Sequence, residues 1–175
     1  MSEKLEIRES TRDDSSAIES LYPKAFPNEN LLPLVRDLLK DTVVALSLVG
    51  VINARIVGHT IFTKCVVTGN STDAALLGPL AVAPKWQRQG IGSTIMRAGL
   101  QQLQDADVNS VYVLGDPAYY VRFGFQPESS VEPPYPLPAE WNGAWQSLYL
   151  GEQTTPCTGK LSVPPPWRQP GLWAP

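Results

Sequence analysis

Leu76-Leu77-Gly78-Pro79-Leu80-Ala81-Val82-Ala83 is an apolar run that meets, after three intervening residues, Gln87-Arg88-Gln89-Gly90-Ile91-Gly92. It reads as a buried strand feeding a glycine-bearing loop and then a helix. In that helix Ile91, Ile95, Met96, Gly99, Leu100 and Leu103 recur at spacings of three and four, while Arg97, Gln101, Gln102 and Gln104 fall between them. One face is therefore buried and the other meets water. Glycines at 90 and 92 leave no side chain between the first-turn amides and an approaching group. A helix N-terminus also carries unpaired N–H donors and a partial positive charge, which suits phosphate.

The spacing is not that of other phosphate loops. A Rossmann fingerprint needs G-x-G-x-x-G with an acidic residue about 20 positions on, and a Walker loop needs G-x-x-x-x-G-K-[ST]. Neither is present, so a nucleotide-binding protein of those kinds is disfavoured. What stands at 87–92 is Q-x-x-G-x-G.

With 175 residues, 43% of them hydrophobic, the chain has material for one domain with a real core and too little for two. A net charge of -3 and a pI near 5.1 offer no basic surface for nucleic acid. Met1-Ser2-Glu3-Lys4-Leu5-Glu6 is charged where a signal peptide is apolar, and the longest apolar stretch, near 43–52, is too short to span a bilayer. A cytoplasmic protein without membrane contact is expected. Cys65 and Cys157 lie far apart, and His59 is the sole histidine, too few ligands for a structural zinc site and a poor basis for a disulfide framework. No metal is expected. His59 lies in Gly58-His59-Thr60-Ile61-Phe62, a strand pattern, and reads as a satisfied strand histidine rather than a partner to a nucleophile.

Outward from the loop, Leu5 and Ile7 alternate with charged residues as a first strand does. Thr11-Arg12-Asp13-Asp14 resembles a capping box opening a helix over 13–24 that buries Ile18, Leu21 and Tyr22, with Pro23 and Pro27 bracketing its end. A second helix is predicted over 28–40, with Pro33 in its first turn and Glu29 at its mouth. Residues 43–51 and 56–67 form a hairpin, and Thr68-Gly69-Asn70-Ser71-Thr72-Asp73 turns into the strand before the loop. Residues 108–114 make a fifth strand, parallel to the one ending at Ala83 because a helix separates the two.

Gly115-Asp116-Pro117-Ala118-Tyr119-Tyr120-Val121-Arg122-Phe123-Gly124-Phe125 follows, with Asp116 as N-cap, Pro117 in the first turn and Gly124 as the left-handed cap of a two-turn helix. Beyond Phe125 lie eleven of the 17 prolines and four of the five tryptophans. Residues 132–138 are extended and pair poorly, 145–150 alternate as a strand, and 164–175 read as a polyproline-like tail whose aromatics pack back on the domain or meet a partner.

With both blocks in view, the chain resembles the GNAT superfamily of N-acetyltransferases over about 5–150. The loop matches [QR]-x-x-G-x-[GA], and residues 119–125 match [FY]-Y-x-[KR]-x-G-F, closest to a bacterial branch. The resemblance implies an α/β fold with a mixed, mostly antiparallel sheet, a central parallel pair splayed for acetyl-CoA, and flanking helices. It implies a GNAT domain at 1–151, with a Pro/Trp-rich extension at 152–175 packed on it.

The same resemblance implies transfer of acetyl from acetyl-CoA, a co-substrate, to an amine of a small molecule, peptide or protein, by a monomer or homodimer. Backbone groups of Leu80, Ala81 and Val82 would meet the pantetheine arm, and the Val82 N–H would polarise the thioester carbonyl. The amides of Arg88, Gln89, Gly90, Ile91, Gly92 and Ser93 would seat the pyrophosphate, with Gln87 shaping the loop start and Arg122 reaching toward a nucleotide phosphate. Tyr120 would lie against the cofactor and protonate the departing sulfur. Glu29 would orient the amine or take its proton, or else simply complement a helix dipole; water held by backbone carbonyls is the other route for that proton. Many relatives carry glycine and a basic residue where Arg88 and Gln89 stand, which puts side-chain contributions there in doubt. A non-catalytic acyl-CoA-binding or regulatory module is the alternative reading.

Overall fold

The computed structural model describes residues 4–69, 72–141, 143–151 and 158–175. The predicted turn residues Asn70 and Ser71, Cys157, and the expected start of the extension at 152 lie outside them. Two compact units are present: Met1–Phe62 with Gly78–Gln102, and Thr63–Leu77 with Leu103–Pro175.

In the first unit, β1 (Glu6–Glu9) pairs antiparallel with β2 (Ala45–Ile52), in register from Glu6↔Val51 to Glu9↔Leu48. β2 returns as β3 (Arg55–Val67) through Asn53 and Ala54, both left-handed with φ of 49° and 64°. Such a two-residue turn fits the right-handed twist of a hairpin. β3 neighbours β4 (Thr72–Val82).

α1 (Ser15–Ala25) buries Ile18, Leu21 and Tyr22, as the periodicity predicts. Its start is tied to β1: the Arg8 guanidinium donates to both carboxylate oxygens of Asp14, at 2.7 and 3.0 Å, and the Thr11 N–H donates to Asp14 Oδ2 at 2.7 Å. This arrangement holds the Asp14 carboxyl well below its usual range, at about 2, chiefly through the Arg8 hydrogen bond. Two boundaries differ from expectation. α1 starts at Ser15 rather than 13, after a 3-10 turn over Arg12–Asp14, while its end at Ala25 falls between Pro23 and Pro27 as expected, the Phe26 N–H closing on the Tyr22 carbonyl at 2.8 Å. The second helix, α2 (Leu32–Lys40), begins four residues later than predicted, leaving Asn28, Glu29 and Asn30 in the connection. Pro33 does occupy its first turn.

α3 (Ile91–Asp105) lies directly on glycines of the sheet. A Cβ on Gly58 of β3 would stand 2.7 Å from Ile95 Cδ1, and one on Gly99 of α3 itself would clash with the ring edge of Phe62. Glycine is needed at 99, where the neighbour is a rigid ring, while at 58 a side chain would displace the end of Ile95.

In the second unit the first half of β4 pairs parallel with β5 (Ser110–Leu114), at Ala74↔Ser110, Ala75↔Val111 and Leu76↔Tyr112. This is the expected parallel pair. β5 pairs antiparallel with β8 (Trp145–Tyr149), and β8 with β6 (Gln126–Pro127). β9 (Gly159–Ser162) adds to the end of β3 and runs parallel to β7 (Val131–Glu132). α4 (Pro117–Tyr120) continues as a 3-10 turn over Val121–Phe123; Asp116 caps it by accepting from the Ala118 N–H at 2.9 Å, and Gly124 ends it at φ 96°.

The tail is not polyproline-like. Pro165–Trp167 and Pro170–Trp173 form 3-10 helices, for proline at a first helical position has the right φ and lacks only an N–H that would go unpaired. Trp167 and Trp173 are buried, donating to Thr63 Oγ1 at 3.0 Å and to the Trp167 carbonyl at 3.1 Å respectively. Among the described residues no helix is long and apolar enough to cross a membrane.

Two outcomes follow from the packing of the first unit. Gly99→Ala should lower stability by about 1–3 kcal/mol in urea unfolding, the scale of overpacking, with part of the loss recovered in Gly99→Ala/Phe62→Leu. The Asp14 carboxyl has a folded pKa below its unfolded value, so its contribution is complete above about pH 4 and disappears as the pH falls toward 2. Unfolding midpoints measured across that window should drop in the wild type and drop less in Asp14→Asn.

Candidate active site

At the end of β4 the Ala83 N–H donates to the Val57 carbonyl at 2.8 Å, binding the strand end to β3. Successive N–H groups of an extended strand point to opposite edges, so the N–H and carbonyl of Val82 face the edge away from β3. That carbonyl accepts from Gln87 Nε2 at 2.9 Å. Gln87 thus folds back on the strand it follows and sets the start of the loop.

The loop closes through two left-handed residues, Arg88 at φ 63° and Gly90 at φ 81°. Gln89 Nε2 donates to the Lys85 carbonyl at 3.3 Å, and the Gly90 carbonyl opens α3 by accepting from the Thr94 N–H and hydroxyl at 3.0 and 2.8 Å. Nothing lies within 4 Å of the position a Cβ on Gly90 would take. The turn is therefore open to its surroundings, and the N–H groups of Ile91, Gly92 and Ser93, in the first turn of α3, have no acceptor within the helix. Ile91 itself is buried and anchors the turn from below. One unit thus brings Leu80, Ala81 and Val82 together with Gln87, Arg88, Gln89, Gly90, Ile91, Gly92 and Ser93.

Glu29 lies in the same unit, exposed in the connection before α2, with its N–H 3.3 Å from the Phe26 carbonyl. It lines a cavity of about 300 Å³ with Tyr22, Phe26, Asn28 and Asn30. A larger cavity of about 760 Å³ is lined by Ser10, Arg12, Arg36, Lys40 and Ser47 among others.

His59 is fully buried between these elements, with Nδ1 2.6 Å from the Tyr22 hydroxyl and Nε2 2.8 Å from Ser47 Oγ. Burial pulls its pKa down to about 3, so the imidazole is neutral. It is the satisfied strand histidine that its sequence context predicts. The chain of hydroxyls around it, extended by Ser10 Oγ donating to Ser47 Oγ at 2.6 Å, was not legible, because its members come from four separate elements with no common spacing.

In the second unit Tyr120 ends α4. Its ring lies over Gly115, where a Cβ would stand 2.6 Å from Tyr120 Cε2, and meets Tyr119 and Phe125 edge-on at 5.0 and 5.7 Å. Gly115 makes room for the Tyr120 ring, a packing role that sequence reasoning missed; a glycine directly before the Asp116-Pro117 helix start was the available signal. Burial pushes the Tyr120 phenol above its ordinary range, with Tyr119 and Asp116 adding to it, so the group is held protonated. The Arg122 guanidinium sits 4.6 Å over the Tyr119 ring.

Residues 42–127 match the family described as Acetyltransferase (GNAT) domain. The chain is 33% identical over 162 residues to a protein of Escherichia coli (strain K12) named uncharacterized N-acetyltransferase YjhQ, covering 89% of this chain and 90% of that one. Its fold matches the crystal structure of the E. coli GNAT family N-acetyltransferase YhbS in complex with CoA at a TM-score of 0.87 and 26% identity, over 97% of this chain and 94% of that one. A GNAT family acetyltransferase of Brucella melitensis in complex with acetyl-CoA matches at 0.76 and 27% identity, over 94% and 98%.

The left-handed backbone at Arg88 generates a prediction of its own. That conformation costs a side-chain-bearing residue about 1–2 kcal/mol and glycine almost nothing, while glycine carries an entropic cost of about 0.5–1 kcal/mol. Arg88→Gly should therefore raise stability in thermal unfolding by up to about 1 kcal/mol. A loss of stability would show that contacts of the Arg88 side chain outweigh its backbone strain.

Proposed function

This chain belongs to the GNAT superfamily of acyltransferases, and we propose that it transfers acetyl directly from the thioester of acetyl-CoA to an amine. The observation that carries this reading is the open turn at the N-terminus of α3, with unobstructed space at Gly90 and a strand end held beside it by Gln87. The pyrophosphate sits on the amides of residues 88–93, where the helix dipole and convergent N–H donors favour a dianion. Leu80, Ala81 and Val82 meet the pantetheine arm with backbone groups. The CoA and acetyl-CoA held by the two structural relatives support the assignment.

The amine lone pair attacks the thioester carbonyl carbon, and the oxygen gains negative charge that the Val82 N–H stabilises. The carbon–sulfur bond then breaks, and the leaving thiolate takes a proton from Tyr120. Burial keeps the phenol protonated at neutral pH, so the proton is present to be given, and the tyrosinate left behind recovers one from water. The proton that the amine must lose passes to water held by Glu29 or by backbone carbonyls. The acceptor is an amine of a small molecule or of a peptide or protein. We take 1–151 as the catalytic domain and 152–175 as an extension packed on it; the burial of Trp167 and Trp173 supports this.

Purified protein titrated with acetyl-CoA and then offered a panel of amines should release free thiol in proportion to acetylated product. Binding of acetyl-CoA with no thiol release would favour a non-catalytic binding module instead. On an amine that is acetylated, Tyr120→Phe should lower kcat by at least about tenfold and leave acetyl-CoA affinity in place. Unchanged turnover would remove Tyr120 from the proton transfer.

A further inference from the structure

Gln146 is 1% exposed on β8, opposite Val113 of β5 on one side and Pro127 of β6 on the other. A strand position enclosed in this way is ordinarily apolar, and burying an amide there is costly unless it is hydrogen-bonded. Gln146 Nε2 donates to the Gly115 carbonyl at 3.1 Å and to the Ala144 carbonyl at 3.3 Å. Both partners only accept, so the NH2 end of the side chain is the end that faces them.

The Gly115 carbonyl needs such a donor because the sheet leaves it without one. The register of β5 and β8 ends with Leu114 opposite Trp145, and one step on, the Gly115 N–H donates to the Ala144 carbonyl at 3.0 Å. In an antiparallel pair of this kind the return bond runs from the Ala144 N–H to the Gly115 carbonyl. Here that N–H donates to the Trp141 carbonyl instead, at 3.0 Å. The Gln146 side chain stands in for the missing strand bond, and Gly115 is held at both its N–H and its carbonyl.

Tyr120 depends on Gly115 twice. Its ring lies over that residue, where a Cβ would stand 2.6 Å from Tyr120 Cε2. The chain also passes from Gly115 straight into Asp116, whose side chain caps α4 and whose carbonyl accepts from the Tyr120 N–H at 3.2 Å. Glycine has the most permissive backbone of any residue, so a ring seated on one is placed only as well as the bonds that hold it.

We propose that Gln146 is a positioning residue for acetyl transfer: by bonding the Gly115 carbonyl it fixes the floor under the Tyr120 ring, and with it the aim of the phenol at the departing sulfur. This rests on the acid role of Tyr120 given above. Gln146 acts through Gly115, not on the reacting atoms.

The test uses the full chain, acetyl-CoA and four amines: spermidine, glucosamine, an alanyl peptide and a lysyl peptide. With an amine that the wild type acetylates, Gln146→Met, which keeps the length of the side chain and loses its donors, should lower kcat about fivefold. KM for acetyl-CoA and for the amine should each change by less than about twofold. In a Tyr120→Phe background the same substitution should lower kcat by less than about twofold further, because the phenol it serves is gone. Gly115→Ala, which pushes the ring off its seat and leaves Gln146 in place, should show the same loss and the same dependence on the Tyr120 hydroxyl. Should Gln146→Met not fold, Gln146→Asn, whose amide falls one carbon short, replaces it with the same expectation. Where Tyr120→Phe alone slows turnover, a Gln146 variant or a Gly115→Ala enzyme that keeps the wild-type kcat, or loses it equally in both backgrounds, overturns the positioning role and leaves the acid role of Tyr120 standing. A Tyr120→Phe enzyme as fast as the wild type, or a wild type inert toward all four amines, overturns both.

Discussion

The close approach of α3 to the strands beneath it is the constraint on which the candidate site depends. Ile95 rests where a side chain at Gly58 would stand, and Phe62 rests where one at Gly99 would stand. With those two contacts the helix has one height above the sheet. Its first turn, anchored by the buried Ile91, is then held at a fixed offset from the end of β4, and Gln87 closes the remaining gap by bonding the Val82 carbonyl. An anion site made of backbone N–H groups needs this rigidity, because its donors cannot adjust as side chains do.

The proposed site divides between backbone and side-chain chemistry. The groups proposed for the pyrophosphate are amides, and amides are supplied by any residue that can take the local φ. Arg88 takes a left-handed φ that glycine adopts more easily, and the space at Gly90 is open. Tyr120 is the opposite case. Its seat is made by one glycine and two aromatic neighbours, so its placement depends on Gly115, Tyr119 and Phe125 as individuals.

Much of this was legible in the sequence because local chemistry decides it. The three-and-four spacing from Ile91 to Leu103, the Asp116-Pro117 start and Gly124 stop of α4, and the loop residues themselves all act within a turn or two of chain. The features that escaped are long-range. Residues 28–31 stay outside α2, where the Glu29 N–H reaches the Phe26 carbonyl just past the preceding helix, and the chain from Ser10 to Tyr22 joins residues as far apart as 37 positions. The tail was misread for a related reason: its prolines favour an extended form in isolation, and burial of Trp167 and Trp173 tips them into 3-10 turns.

Trp173 meets Trp145 at 5.8 Å and Trp167 at 5.9 Å, and it is among the largest fully enclosed side chains described. During synthesis on a ribosome, these three rings cannot close on one another until residue 173 has cleared the exit tunnel. The interior of the second unit must therefore wait, partly wet, while the first unit already has every residue it needs. The order of the chain thus sets which interior can be completed first.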